Sequence, residues 1–219
     1  MKKLIVAIDG PSGAGKGTVS RTLSESLGYR HVDTGAMYRA VAWKAVHDGL
    51  ALDDEERVAA LARHAELVVE GGVVTIEGHD VTRAIRTPEI DKAAAAVARL
   101  PRVREILVAR QRALGSAGGV VMEGRDIGTV VFPAADVKIY LDASAEERAR
   151  RRVADPAHSG GRDGEAAVAA SIAARDRSDA TRTASPLTVA PDAVYVDTTD
   201  MPIPDVVDTV MKVIRQKTP

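Results

Sequence analysis

The chain has 219 residues, 45% of them apolar and only 3% aromatic, with a formal net charge of -1 from 30 basic and 31 acidic residues. That length suits one domain with a full core, which valine, isoleucine, leucine and alanine must fill. Balanced charge excludes a global field that would attract nucleic acid, and the absence of cysteine excludes a disulfide framework, a thiolate zinc site and a cysteine nucleophile.

The chain opens on an apolar, β-branched run over residues 3–8, which predicts a buried parallel strand. That run is too short for a secretory leader, and no stretch approaches the length of a membrane span, so a soluble cytoplasmic protein is expected. Residues 16–27 carry Val19, Leu23 and Leu27 at helical spacing and stop at Gly28. A second short strand falls within 29–35, and helices are expected over 36–49 and 53–65. The pattern then changes: 66–82 holds two strand-like runs around Gly71-Gly72, a hairpin signal inside a βα chain. Helices follow over 87–100 and 102–115, divided by Pro101, then strands over 118–124 and 137–143. Ser144 with Glu147 marks a capping box for a helix over 144–154. Residues 155–164 form a Pro/Gly/Ser-rich tip, followed by a helix over 165–182, a strand over 193–197 and an amphipathic helix over 201–216. Strands alternating with helices predict an α/β fold with a parallel sheet covered on both faces.

The strongest motif is "GPSGAGKGT", residues 10–18, which fits G-x-x-x-x-G-K with Gly10, Gly15 and Lys16. It sits between a strand and a helix, the setting in which backbone N–H groups and a helix N-terminus converge on phosphate. Gly17 stands where the usual magnesium-binding hydroxyl would be, and Thr18 follows one place late. This order suggests that Thr18 meets phosphate and that magnesium is held mostly through water.

Arginine dominates the cations: only 8 of the 30 basic residues are lysine, leaving 22 arginines. Arginine is the bidentate binder of phosphate and carboxylate, although a genomic bias toward it would account for part of the excess. "DTGAMYR" holds Thr34 and Arg39, "PRVRE" holds Arg104, and "EGRDIG" places Arg125 and Asp126 just past a strand end. "RDRSDATR" puts Arg175, Asp179 and Arg182 on one helix face. Taken alone, that triad, like Arg148 and Arg152, reads first as a solvated, salt-bridged face, the usual fate of such charges.

Together these segments resemble the bacterial cytidylate kinases over nearly the whole chain, within the wider class of nucleoside monophosphate kinases. The resemblance implies a P-loop kinase with a five-stranded parallel sheet flanked by helices. An inserted acceptor-binding region would carry the small antiparallel hairpin, and a short lid would cover ATP. The implied division is core at 1–35, 113–152 and 165–219, acceptor insert at 36–112, and lid at 153–164. It implies that Gly10, Pro11, Ser12, Gly13, Ala14, Gly15, Lys16, Gly17 and Thr18 hold ATP, with Arg148 and Arg152 at the lid. Thr34, Arg39, Arg104, Arg125, Asp126, Arg175, Asp179 and Arg182 would bind CMP or dCMP: Arg39, Arg125 and Arg182 at its phosphate, Arg175 and Asp179 at the ribose, Arg104 and Asp126 at the base. Lys16, Arg125, Arg152 and Arg182 would act on the transferring group. Glu123 would stand near Mg2+ through water. Relatives commonly place a serine where this chain has Ala95. A monomer without nucleic-acid or membrane partners is expected. A kinase for UMP, AMP, shikimate or dephospho-coenzyme A is the alternative. A GTPase-like switch would need an N/T-K-x-D motif, and the sequence has none.

Overall fold

The structure is a computed structural model that describes residues 3–157 and 164–217. Five strands form an all-parallel sheet: β1 (Ile5–Asp9), β2 (Arg30–Asp33), β6 (Val120–Gly124), β7 (Val137–Asp142) and β8 (Val194–Asp197), in the order β2-β6-β1-β7-β8. The central strands β1, β6 and β7 are buried almost end to end, which is why they read as continuous apolar runs rather than alternating ones. Helices α1 (Lys16–Leu27) and α8 (Ile203–Lys217) cover one face through Val19, Leu23, Val206 and Val210. The other face is covered by Val108 of α5 (Pro101–Gly115) and by Ile127 and Val131.

Helices α2 (Thr34–His47), α3 (Glu55–His64) and α4 (Pro88–Val97) join the first half of α5 in an insert with its own core. That core is built from alanine and valine with Ile76, Ile85, Met37 and Leu107, as the low aromatic content demands. The expected hairpin is present, with β3 (Leu67–Glu70) antiparallel to β4 (Val73–Ile76) around Gly71 and Gly72, both at positive φ. A third strand, β5 (His79–Asp80), pairs with β4 and makes a three-stranded sheet; two residues are too few to show a period in sequence. Helices α6 (Ala145–Ala154) and α7 (Glu165–Thr181) pack against each other through Ala149, Val168 and Ile172. Residues 158–163, the middle of the expected tip at 155–164 and of the lid expected at 153–164, lie outside the described residues.

Several boundaries differ from expectation for local reasons. Helix α2 starts at Thr34 rather than 36, because the Asp33 carboxylate caps it by accepting from Ala36 N at 2.9 Å. Gly118 and Gly119 have positive φ and lie outside β6, which begins at Val120. Arg182 is the first residue past α7 and has extended backbone angles. The capping box of α6 is half-formed. Ser144 Oγ accepts from Glu147 N, but the Glu147 carboxylate pairs with Arg150 and Arg151, and Ser144 N donates to Thr199 Oγ1. Residues Ile127–Val131 form one π-helical turn, with Val131 N and Phe132 N donating five residues back to Asp126 O and Ile127 O. Asp9 holds that turn in place: its two carboxylate oxygens accept from Ile127 N at 2.8 Å and Gly128 N at 2.7 Å.

All five parallel strands point their carboxyl ends at one edge, where the crossing loops gather. Gly10 leaves β1 at φ 147°, and a Cβ there would stand 1.9 Å from Leu141 O. Gly10→Ala should therefore cost about 3 kcal/mol or more, through clash and strain together. Urea unfolding checks this, and a loss under 1 kcal/mol would mean the loop relaxes freely.

Candidate active site

The loop after β1 wraps Lys16, whose Nζ donates to Pro11 O at 2.7 Å and is buried. Burial, helped by the Arg125 charge, pushes the Lys16 ammonium well below its usual range. An anion placed in the loop adds a negative charge that opposes both effects, so Lys16 stands to gain from phosphate. Gly13 permits a second close approach, since a Cβ there would stand 2.8 Å from Arg148 O. Arg148 donates to Ser12 O at 3.1 Å and Ala143 O at 3.0 Å and pairs with Asp176, so it buttresses the loop from behind. Arg152 reaches the loop from the front, with Nη2 2.8 Å from Ser12 Oγ. Thr18 lies exposed in the first turn of α1.

Beyond β2 and β6 the chain assembles a dense ionic nest. Arg104 Nη2 pairs with Asp126, and its guanidinium lies 5.4 Å over the Tyr38 ring. Arg182 Nη1 is 3.4 Å from Asp179 Oδ1 and its Nη2 is 3.7 Å from Asp126 Oδ1. Arg125 Nε donates to Asp179 Oδ2 at 3.0 Å, and Arg175 Nε lies 3.5 Å from the same oxygen. Asp179 is 1% exposed and Arg182 5%, which overturns the reading of this triad as a solvated face. Burial works against the Asp179 charge, yet Arg125, Arg175 and Arg182 outweigh it and hold the carboxyl below its usual range. Burial also pushes Arg175 down to about 10. Arg104 Nε, Arg175 Nε and Arg182 Nη2 are buried and make no hydrogen bond within the described residues.

Two further clusters complete the edge. Thr34 Oγ1 donates to Glu123 O at 2.7 Å, and the Glu123 carboxylate lies 2.9 Å from His31 Nε2. A Cβ on Gly17 would sit 3.5 Å from Glu123 Oε1, so this carboxylate faces the start of α1 beside Lys16. Among the described residues no three acidic or histidine side chains are grouped to hold a metal directly. On the insert side, Arg39 Nε donates to Asp91 at 2.9 Å, and Arg86 Nη2 donates to Asp33 at 2.9 Å. A cavity of about 440 Å3 opens here, lined by Ser12, Asp91, Lys92, Ala95, Arg152 and Arg175 among others. The Arg104–Asp126 pair does not line it.

Of the expected charged and polar site residues, all but Thr18 and Arg148 gather at this edge with a hydrogen bond or ion pair, and the loop glycines supply the close backbone turns. Asp9, Asp33, Arg86, Asp91 and Arg151 were not singled out from the sequence. Arg151 donates to Thr198 Oγ1 at 2.9 Å and Thr198 O at 2.6 Å, joining α6 to the end of β8. Only the DTG turn pointed to one of them, Asp33; the others depend on pairings across long separations.

A five-stranded parallel sheet with a phosphate loop at its first strand, ringed by buried arginines, defines a P-loop kinase. The chain belongs to the cytidylate kinase family, whose model, described as Cytidylate kinase, matches residues 6–216. It is 46% identical over 99% of its length to a cytidylate kinase of Solibacter usitatus, covering 94% of that protein. It is 50% identical over 94% of its length to one of Pelotomaculum thermopropionicum, covering 93% of it. A solved structure of an uncharacterized protein from Eubacterium ventriosum shares the fold at TM-score 0.51 and 10% identity, covering 97% of this chain and 99% of that one.

Burial works to raise the Asp33 carboxyl, but Arg86, Arg39 and the Ala36 N–H outweigh it and hold it at about 2 against an ordinary 3.8. Folded Asp33 therefore binds its proton less readily than unfolded Asp33. Its pairing stabilises the fold above pH 4 or so and drains away as pH falls toward 2. Asp33→Asn keeps the helix cap but loses the charge. The variant should be less stable than wild type by about 2 kcal/mol at pH 7, with the gap closing below pH 4. Urea unfolding at pH 7, 4 and 3 checks this, and a gap independent of pH would assign the loss to packing.

Proposed function

We propose that the chain transfers the γ-phosphoryl group of ATP to CMP or dCMP, giving ADP and CDP or dCDP. The observation that carries this beyond family membership is the buried Arg125–Asp179–Arg182–Asp126–Arg104 nest beside the phosphate loop. A triphosphate site alone has no use for it. The guanidinium N–H groups of Arg104, Arg175 and Arg182 that lack a hydrogen bond among the described residues suit the oxygens of an acceptor nucleotide.

Residues Gly10 to Thr18 hold the triphosphate, with Lys16 at its β/γ end and Arg152 bridging from the lid side. Arg39, Arg125 and Arg182 grip the acceptor phosphate, Arg175 and Asp179 the ribose, and Arg104 with Asp126 the pyrimidine edge. Thr34 lines the acceptor site. With Ala95 beside the cavity, base choice rests on Arg104, Asp126, backbone groups or water rather than on a hydroxyl there. Mg2+ fits beside Glu123 through water, given a carboxylate facing Gly17 and no direct ligand cluster among the described residues. When bound, it would neutralise charge on the β- and γ-phosphates.

The attacking group is a phosphate oxygen, already largely ionised because its second pKa is about 6, so no side chain has to act as base. What remains is electrostatic: two polyanions meet in line, and charge spreads over the oxygens of the transferring group. Lys16, Arg125, Arg152 and Arg182 meet that charge from positions fixed before reaction. The chain acts as a cytoplasmic monomer. Among the described residues no helix is long and apolar enough to cross a membrane.

Coupled ADP release with CMP, dCMP, UMP, AMP and shikimate tests this directly. CMP and dCMP should be turned over far faster than the others, and a shikimate or AMP preference would overturn the acceptor. Lys16→Ala should lower kcat by roughly 10²–10³ or more while the protein stays folded by circular dichroism. Arg182→Ala should raise KM for CMP more than KM for ATP; equal rises would remove it from the acceptor side.

A further inference from the structure

Asp91 belongs to none of the motifs that define the phosphate loop or the acceptor nest, yet three arginines from three elements converge on it. Arg39 Nε of α2 donates to Oδ1 at 2.9 Å. Arg152 Nη1 of α6 lies 3.9 Å from Oδ2, and Arg175 Nη1 of α7 lies 3.9 Å from Oδ1. Arg175 Nη1 also donates to the main-chain oxygen of Asp91 at 3.0 Å, so the helix position itself is engaged. Arg152 in turn holds Ser12 of the phosphate loop. A continuous polar path, Ser12–Arg152–Asp91–Arg39, therefore spans the cleft between the two proposed nucleotide sites, and Asp91 lines its cavity.

We propose that Asp91 is an internal counter-anion: its carboxylate gathers Arg39, Arg152 and Arg175 before substrate arrives, and the phosphate of the incoming nucleotide displaces it. Asp91 is a positioning residue that sets acceptor affinity. This rests on the assignment of those arginines to nucleotide binding.

The charges favour exchange in this direction. Arg39, Arg152 and Arg175 meet at Asp91, although Arg175 also lies 3.5 Å from Asp179 and Asp33 adds to the field at Arg39. Burial already disfavours the charge on Arg152 and Arg175, and Asp91 opposes that effect. A carboxylate brings one negative charge, whereas a phosphate monoester brings nearly two at neutral pH and three acceptor oxygens. Arg39 donates to Asp91 through Nε at 2.9 Å, and Arg152 and Arg175 stand farther off, at 3.9 Å. Asp91 thus keeps like charges together and gives way to a group of higher charge. Its charge is also set against every anion that enters, so it lowers affinity for inorganic phosphate as well as for CMP.

Calorimetric titration of wild type, Asp91→Asn and Asp91→Glu with inorganic phosphate and with CMP, without triphosphate, tests the assignment. Asp91→Asn keeps the shape and removes the charge. It should bind both ligands about tenfold tighter, since a charge roughly 4 Å away at intermediate dielectric is worth that or more. KM for CMP should fall without a rise in kcat, and Asp91→Glu should stay within about threefold of wild type. Unchanged or weaker phosphate binding by a folded Asn variant overturns the proposal. Should that variant fail to fold, the wild-type protein decides: the Arg39 Nε–H resonance should shift when CMP binds, and an unmoved resonance overturns displacement. Wild type that binds phosphate but turns over none of the nucleotides would instead sink the acceptor assignment, leaving the phosphate titrations to judge Asp91.

Discussion

Positive charges that are to meet a phosphate in fixed geometry must be held together before the phosphate arrives. Guanidiniums at this density repel one another, and burial strengthens the repulsion by removing water. The chain meets this constraint by interleaving carboxylates with arginines. Asp126 stands between Arg104 and Arg182, Asp179 among Arg125, Arg175 and Arg182, and Asp33 beside Arg86. The formal charge near zero is the outward trace of the same pairing. Removing one member of such a network is costly, but replacing whole buried pairs by apolar side chains would change stability little, because desolvation offsets most of the attraction. They are better understood as the scaffold of a binding surface.

That scaffold depends on where the parallel strands end. Asp9 and Gly124 are register partners, as are Asp33 and Glu123, so the loop after β1, the start of α2 and the Arg125–Asp126 segment leave from one level of the sheet. Asp9 then ties the π turn to β1 with two main-chain hydrogen bonds, and burial lifts its carboxyl to about 6. Its charge is retained because the bonded N–H groups of Ile127 and Gly128 favour it. Through this tether the residue that precedes the turn, Asp126, is fixed relative to the phosphate loop.

Much of this was legible in the sequence because it is local. The glycines and Lys16 form one contiguous motif between a strand and a helix, and the β-branched runs mark the buried strands by composition alone. The β3–β4 hairpin declared itself through Gly71-Gly72. The role of the Arg175–Asp179–Arg182 face was undecidable at that level: helical spacing fixes which residues share a face, while only tertiary packing fixes whether that face is wet. Strand β5 escaped notice because two residues carry no period, and the π turn because Ile127, Val130 and Val131 favour a strand locally until Asp9 overrides them. Asp91 and Arg86 were hidden for the same reason, their partners lying 52 and 53 residues away.

The insert buries its alanines, valines and isoleucines against one another, apart from the two clusters that clothe the parallel sheet. A core that closes on itself can be rebuilt without disturbing its neighbour, since additive, non-contacting substitutions do not compound. Apolar changes within helices 34–47 and 88–97 therefore fall mainly on the insert, while polar contacts that cross out of it, Arg104 to Asp126 and Arg175 to the main chain of Asp91, tie it to the rest of the molecule.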